Sequence, residues 1–105
     1  MALKVYWTDF AKNELKGIFD YYSVNASSVV ARKITLKIVN ETKRLGAHPN
    51  VGQLELFLSD RKEKFRYIVC DNYKIIYWIN TEKNRIEIND VFDTRQDPIK
   101  LHRNK

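Results

Sequence analysis

The sequence contains one cysteine, Cys70, among 105 residues, which excludes an internal disulfide bond and a cysteine-rich metal site. Three glycines and two prolines leave no stretch typical of a flexible linker, so one domain covering residues 1–105 is predicted. The apolar runs, such as YKIIYWI, are far shorter than the roughly 20 residues that cross a bilayer. The first residues, MALKVYWTDF, lack the apolar core of a signal peptide, which predicts a cytoplasmic protein with no membrane partner.

Motifs that carry common enzyme chemistry are also missing. The sequence has no glycine-rich phosphate loop, no nucleophile elbow and no histidine and cysteine residues at metal-ligand spacing. We therefore predict neither a cofactor nor a metal site. Of the two histidines, His48 precedes a proline and suits a helix C-terminus, whereas His102 lies in the basic tail IKLHRNK.

The charge balance is basic. Nineteen lysines and arginines against 13 acidic residues give a net charge of +6. Such a charge favours an acidic partner, either nucleic acid or an acidic protein. The alternative is that the charge only keeps the protein soluble.

The first half predicts a strand followed by two helices. Residues 2–7, ALKVYW, alternate like a short strand, and Thr8 is placed as a helix N-cap. The stripes expected to be buried at helical spacing are Ala11, Leu15, Ile18 and Tyr22, then Val30, Ile34, Ile38 and Leu45. Ser27 or Ser28 suits the second N-cap and Gly46 the second C-cap. Helices joined by so short a break should form an antiparallel hairpin.

The second half predicts a three-stranded antiparallel meander over residues 65–71, 73–81 and 85–93. The middle run is apolar on both faces, which predicts a central strand. The whole chain is therefore expected to be an α+β domain: an N-terminal strand, a helical hairpin and a three- to four-stranded antiparallel sheet.

Two parts of this half are less regular. The last strand should alternate, with Ile86 and Ile88 facing in and Glu87 and Asn89 facing out. Residues 50–64 predict a short extra strand around Leu54 to Leu58, before a basic loop.

Candidate functional side chains are the cations of the sheet half. They are Arg61, Lys62, Lys64, Arg66, Lys74 and Arg95. Any of them can be a solvated charge at a strand edge. Lys74 is unusual because it interrupts an otherwise apolar central strand, so it must reach the rim of the sheet or face a groove. If Lys74, Arg66 and Arg95 share a face, they form a concave cationic surface for a phosphate or a carboxylate.

Aromatic residues alternate with these cations. Tyr67 and Tyr73 join Arg61, Lys62 and Lys64 as a candidate binding face, because single-stranded RNA is bound by stacking bases on aromatic rings among cations. Tyr77 and Trp78 are better explained as β-sheet core.

Two motifs carry a resemblance to a known family. The central strand YKIIYWI and the last strand IEINDVFDTRQDP, which follow a helical hairpin and HPNVGQ, resemble the RelE/ParE superfamily of bacterial toxins from type II toxin–antitoxin modules. The resemblance runs from Leu3 to about Leu101. It implies a growth-inhibiting toxin that a cognate antitoxin neutralises.

The two branches of this superfamily differ in their target. RelE-like toxins cleave mRNA on the ribosome, whereas ParE-like toxins poison DNA gyrase without nuclease activity. If the chain is a RelE-like nuclease, the resemblance implies that its catalytic residues are Lys74, Arg95, Arg66 and His102. RNA cleavage needs an acid, a base and cations around one phosphate.

Two differences from the nucleases of the family weaken the nuclease interpretation. A lysine, Lys74, stands where family nucleases have an arginine on the central strand, and no tyrosine follows Arg95. His102 is spaced differently from the family's terminal acid or base. We therefore favour a ParE-like toxin that is not an enzyme, with mRNA cleavage as the alternative.

The antitoxin is expected to bind through an acidic or amphipathic segment. The second helix is basic, and the residues that suit this partner are Arg32, Lys33 and Lys37. The resemblance thus implies three partners to test: the antitoxin, gyrase, and the ribosome with its mRNA.

Overall fold

The computed structural model describes residues 2–104 as one five-stranded sheet with a helical hairpin on one side. The strands are β1 (Lys4–Trp7), β2 (Gln53–Leu54), β3 (Arg66–Cys70), β4 (Tyr73–Asn80) and β5 (Arg85–Asp93). The helices are α1 (Asp9–Asn25) and α2 (Ser28–Lys43), and two 3₁₀ segments cover Leu56–Leu58 and Pro98–Arg103. This confirms the predicted α+β class and element order.

Local capping explains where the two helices begin. The hydroxyl oxygens of Thr8 and Ser27 accept hydrogen bonds from the amides of Ala11 and Val30, at 3.2 and 3.1 Å. Both N-caps were expected from the sequence. Within residues 2–104, neither helix combines the length and the apolar character that crossing a membrane requires.

The sheet order is β1-β5-β4-β3-β2, which places β4 in the centre as predicted. The N-terminal strand joins the same sheet: β1 runs parallel to β5, with Val5 beside Ile86. The expected extra strand is shorter, because β2 ends at Leu54 and a 3₁₀ turn follows.

Pairing with β1 makes β5 an internal strand, and this overturns one expectation. Glu87 was predicted to face solvent, but it is buried and its carboxylate pairs with Arg85 and accepts a hydrogen bond from Asn80. A strand with neighbours on both edges leaves little solvent around its side chains. The two polar partners satisfy the buried carboxylate.

Two apolar clusters cover the two faces of the sheet. The helix-side cluster consists of Ala11, Ile38, Leu45, Ile68, Cys70, Tyr73, Ile75, Tyr77, Ile86, Ile88 and Val91. The outer-side cluster consists of Leu58, Phe65, Ile76, Phe92 and Leu101, with Tyr67 and Trp78 packed against it. The 3₁₀ segments supply Leu58 and Leu101, so they cover the face that the helices leave open.

The expected C-cap role of Gly46 is wrong. The helix α2 ends at Lys43, and no described glycine has a positive φ. The reason for the glycine is steric, since a Cβ at Gly46 would lie 2.5 Å from the carbonyl oxygen of Leu3. The amide of Leu3 donates to the carbonyl of Gly46 at 2.8 Å, which ties the start of the chain to the end of the hairpin.

The glycines of the hairpin should respond to alanine in opposite ways. Gly17 lies inside α1, where a Cβ would meet no atom within 4 Å, so Gly17→Ala should stabilise the fold by about 0.5–1 kcal/mol. Gly46→Ala should destabilise it by about 1–3 kcal/mol, because the backbone of Leu3 must move. Urea unfolding measures both variants, and changes of the same sign would contradict this account.

Candidate functional site

Lys74 lies on the outer side of the sheet, and its charge is already paired. Its ammonium nitrogen is 2.8 Å from a carboxylate oxygen of Glu55 and 4.2 Å from the centre of the Tyr67 ring. Only 20% of the Lys74 side chain and 2% of the Glu55 side chain are exposed. A phosphate would therefore have to displace a buried carboxylate to reach this lysine.

Glu55 is held firmly in that position. Its second carboxylate oxygen accepts a hydrogen bond from the amide of Phe57 at 3.2 Å, and its own amide donates to the carbonyl of Phe65 at 2.9 Å. Glu55 thus begins the first 3₁₀ turn and neutralises Lys74 at the same time. This role was not expected from the sequence, in which the one signal was a carboxylate in an apolar stretch, QLELFL.

Arg66 lies on the other side of the sheet from Lys74. It is paired opposite Tyr77 of the helix-side cluster, and its guanidinium donates to the carbonyl of Gly52 at 2.8 Å. The Tyr77 hydroxyl donates to the carbonyl of Pro49 at 2.7 Å and accepts from the amide of Gly52 at 2.9 Å. Arg66 and Tyr77 together hold the chain that leads into β2.

Arg95 follows β5 and is also on the helix side. Its Nε and Nη2 donate to the two carboxylate oxygens of Asp93 at 3.0 and 2.7 Å, while 66% of its side chain remains exposed. The hydrogen bonds from Arg95 lower the pKa of Asp93 to about 2. Lys74, Arg66 and Arg95 therefore do not share a face, and the predicted concave cationic surface is absent from residues 2–104.

A β-bulge decides which side Asp93 and Arg95 occupy. Ile76 pairs with Asp90 but Tyr77 pairs with Ile88, so Asn89 is an extra residue in β5. Without it, simple alternation would place Asp90 among the helix-side residues. The bulge moves Asp90 to the outer side and Asp93 to the helix side.

The result is a cleft between α1 and the end of β5, of about 320 Å³. We call it the Arg95 cleft, and its lining consists of Glu14, Gly17, Ile18, Tyr21, Tyr73, Val91, Asp93, Arg95 and Gln96. One wall is apolar and aromatic, and the mouth is polar.

Tyr73 belongs to this cleft and not to a face with Tyr67. It is 5% exposed in the helix-side cluster, and its hydroxyl is 3.5 Å from that of Tyr22. Burial, together with that neighbouring hydroxyl, raises the pKa of Tyr73. Tyr67 is on the outer side, where its hydroxyl donates to the side chain of Gln53 at 3.0 Å. The predicted joint binding face of the two tyrosines is therefore wrong.

His102 lies on the outer side, away from Arg95. Its Nε2 is 2.8 Å from the carbonyl oxygen of Phe57 and 3.8 Å from a carboxylate oxygen of Asp60. The contact joins the two 3₁₀ segments. The four residues of the implied catalytic set thus lie on two sides of the sheet, and each has an intramolecular partner.

The remaining predicted binding residues lie at the periphery. Arg61, Lys62 and Lys64 occupy the loop between the first 3₁₀ turn and β3, beside shallow clefts on the outer side. On α2, Arg32 and Lys33 are exposed, whereas Lys37 pairs with Asp71 at 2.8 Å.

Arg103 is a second residue that the sequence analysis missed. It donates to both carboxylate oxygens of Asp90, at 2.8 and 2.9 Å, and to Glu14 of α1 at 2.6 Å. The aromatic rings of Phe10 and Phe92 also contact this guanidinium. The centre of each ring is 5.2 Å from the guanidinium carbon of Arg103. Burial raises the pKa of Asp90 to about 6, against the opposing effect of Arg103. Arg103 fastens the C-terminal segment to the domain.

One comparison with known protein families matches most of the chain. The family model described as ParE toxin of the type II toxin–antitoxin system parDE matches residues 5–98. A search of curated proteins finds no match. A solved structure described as the chromosomal ParDE TA system from P. aeruginosa contains a similar chain, with a TM-score of 0.72 and 21% identity. The alignment covers 88% of this chain and 96% of that one, and it shows a common fold.

The Glu55–Lys74 pair predicts an asymmetric response to mutation. Lys74→Met should cost about 3–5 kcal/mol, because it leaves the buried Glu55 carboxylate without a partner. Glu55→Gln should cost about 2 kcal/mol, because the less buried Lys74 can turn towards water. The double variant should cost less than the sum. Urea unfolding measures the coupling, and additive costs would contradict the pairing.

The Asp93–Arg95 pair predicts a pH dependence in acid. Because the pKa of Asp93 in the folded protein, about 2, is below the unfolded value of about 3.9, this group stabilises the fold above about pH 4. That contribution should be lost as the pH falls towards 2. The stability difference between the wild type and Arg95→Gln should shrink over the same interval in urea unfolding. A constant difference would exclude an ion pair in solution.

Proposed function

We propose that this chain, which belongs to the ParE toxin family of type II toxin–antitoxin systems, stops bacterial growth by poisoning DNA gyrase. Family membership is the observation that carries the proposal. It favours the ParE-like interpretation over the RelE-like one. ParE-like toxins act on gyrase and have no nuclease activity of their own.

The side-chain geometry supports the same choice. Cleavage by the RNA's own 2′-hydroxyl needs several groups around one phosphate, and each missing donor costs roughly 10²–10³ in rate. Here Lys74 is paired with Glu55, and Arg95 lies on the opposite side of the sheet. The proposed toxin is therefore a protein-binding inhibitor with no catalytic residues.

A toxin of this family has an antitoxin as its partner. We expect an acidic amphipathic segment of the antitoxin to cover the helical hairpin. On α2, Val29 and Leu36 are 75% and 52% exposed, close in sequence to the exposed Arg32 and Lys33. Cations flanked by exposed apolar side chains suit a segment that alternates apolar and acidic residues.

Purified toxin should inhibit the supercoiling of relaxed plasmid by gyrase at micromolar concentration. It should also trap cleaved DNA on the enzyme, as a poison does, and induction in cells should cause filamentation and the DNA-damage response. Gel assays of supercoiling and of trapped linear DNA measure the first two effects. Prior addition of the antitoxin is the control that should restore supercoiling.

Two results would count against the proposal. Full supercoiling at a large molar excess of folded toxin would remove gyrase as the target. Codon-phased mRNA 5′ ends after induction, lost in Arg95→Ala, would instead establish the ribosome-dependent nuclease.

A further inference from the structure

The Arg95 cleft combines apolar walls with a cation held in a fixed position. Asp93 binds the Nε and Nη2 edge of Arg95, and Asp93 is itself held by the amide of Arg95 at 2.9 Å and the side chain of Asn72 at 3.3 Å. Within residues 2–104, Nη1 of Arg95 has no hydrogen-bond partner. The guanidinium is therefore oriented in advance with one edge available, which suits recognition of a carboxylate.

The other charges of the cleft leave this preference intact. The Glu14 carboxylate accepts from Arg103 at 2.6 Å, and both oxygens of Asp93 accept from Arg95. The two carboxylates of the lining are thus each paired with a guanidinium. The donors that remain available include Nη1 of Arg95 and the hydroxyl of Tyr21.

Gly17 lines the cleft from inside α1. A glycine inside a helix costs roughly 0.5–1 kcal/mol relative to alanine. No neighbour requires it, since a Cβ there would meet no atom within 4 Å. A side chain of leucine's size at this position would project into the cleft, whereas alanine would leave it open.

The surface beside the cleft continues along α1 as exposed apolar residues. Tyr21 is 58% exposed and Val24, one turn further on, is 85% exposed. A volume of about 320 Å³ lies at the lower end of ligand pockets, which span roughly 300–1,000 Å³, and takes one or two side chains. An extended or amphipathic segment can place a single side chain in so narrow a cleft.

We infer that the Arg95 cleft is an anchor point for the antitoxin. An acidic amphipathic segment inserts an apolar side chain against Ile18, Tyr21 and Val91, and a neighbouring carboxylate binds the free edge of Arg95. The net charge of +6 favours an acidic segment over a basic one. The inference rests on the proposed toxin–antitoxin function, and it adds a site outside the basic stretch of α2.

Filling the cleft tests the inference sterically. The probe is the antitoxin encoded next to this chain's gene, titrated against full-length toxin by calorimetry. Gly17→Leu should weaken binding about tenfold or more, because the leucine side chain occupies the cleft. Gly17→Ala is the matched control and should bind within about twofold of the wild type. Circular dichroism establishes that both variants are folded.

Substitutions that remove, keep or reverse the charge of residue 95 test the role of Arg95. Arg95→Gln should weaken binding about tenfold and reduce its dependence on salt. Arg95→Lys should recover only part of the loss, since an ammonium cannot form the fork with Asp93. Arg95→Glu should be rescued by one acid-to-arginine change within the C-terminal segment of the antitoxin, which a scan of its acidic residues identifies.

The outcomes separate this inference from the proposed function. Wild-type affinity in both Gly17→Leu and Arg95→Gln would overturn the anchor and leave the toxin–antitoxin pairing intact. Failure of the wild type to bind the antitoxin would overturn both. Loss of binding in the variants supports the anchor even if gyrase assays fail to show inhibition.

Discussion

The structure depends on the burial of β4 on both faces. Its even-numbered and odd-numbered side chains enter two separate apolar clusters, and the helical hairpin covers only one of them. The other face needs a second cover, which the segments Leu56–Leu58 and Pro98–Arg103 provide. Segments this short bury little area of their own, so polar contacts must hold them in place.

Those polar contacts use basic residues, two of which, Lys74 and His102, belong to the implied catalytic set. Lys74 holds Glu55 at the start of the first 3₁₀ turn, and Arg103 fastens the C-terminal segment to Asp90 and Glu14. His102 joins the two segments through the carbonyl of Phe57. Lys74, His102 and Arg103 on the outer side of the sheet therefore stabilise the domain.

The Asn89 bulge connects the strand pattern to the candidate anchor. It swaps the sides that the following residues occupy, so that Val91 enters the helix-side cluster, Phe92 enters the outer-side cluster and Asp90 meets Arg103. The same shift places Asp93 on the side of the sheet that faces α1. There its carboxylate accepts a hydrogen bond from Arg95, beside Tyr73. One inserted residue thus determines which cluster Val91 and Phe92 join and places Asp93 in the cleft.

The sequence by itself determined the α+β class, both helix N-caps and the central place of β4, because these follow from local periodicity and capping. It also singled out Arg95. It could not determine that β1 pairs beside β5, that Glu87 is buried, or that Lys74 lies on the opposite side of the sheet from Arg66 and Arg95. Those depend on long-range pairing, on a one-residue bulge and on the partner that each charge finds in three dimensions. No sequence pattern indicates that a lysine will pair with a glutamate 19 residues away, as Lys74 does with Glu55. Only the tertiary structure therefore decided which cations have an intramolecular carboxylate partner.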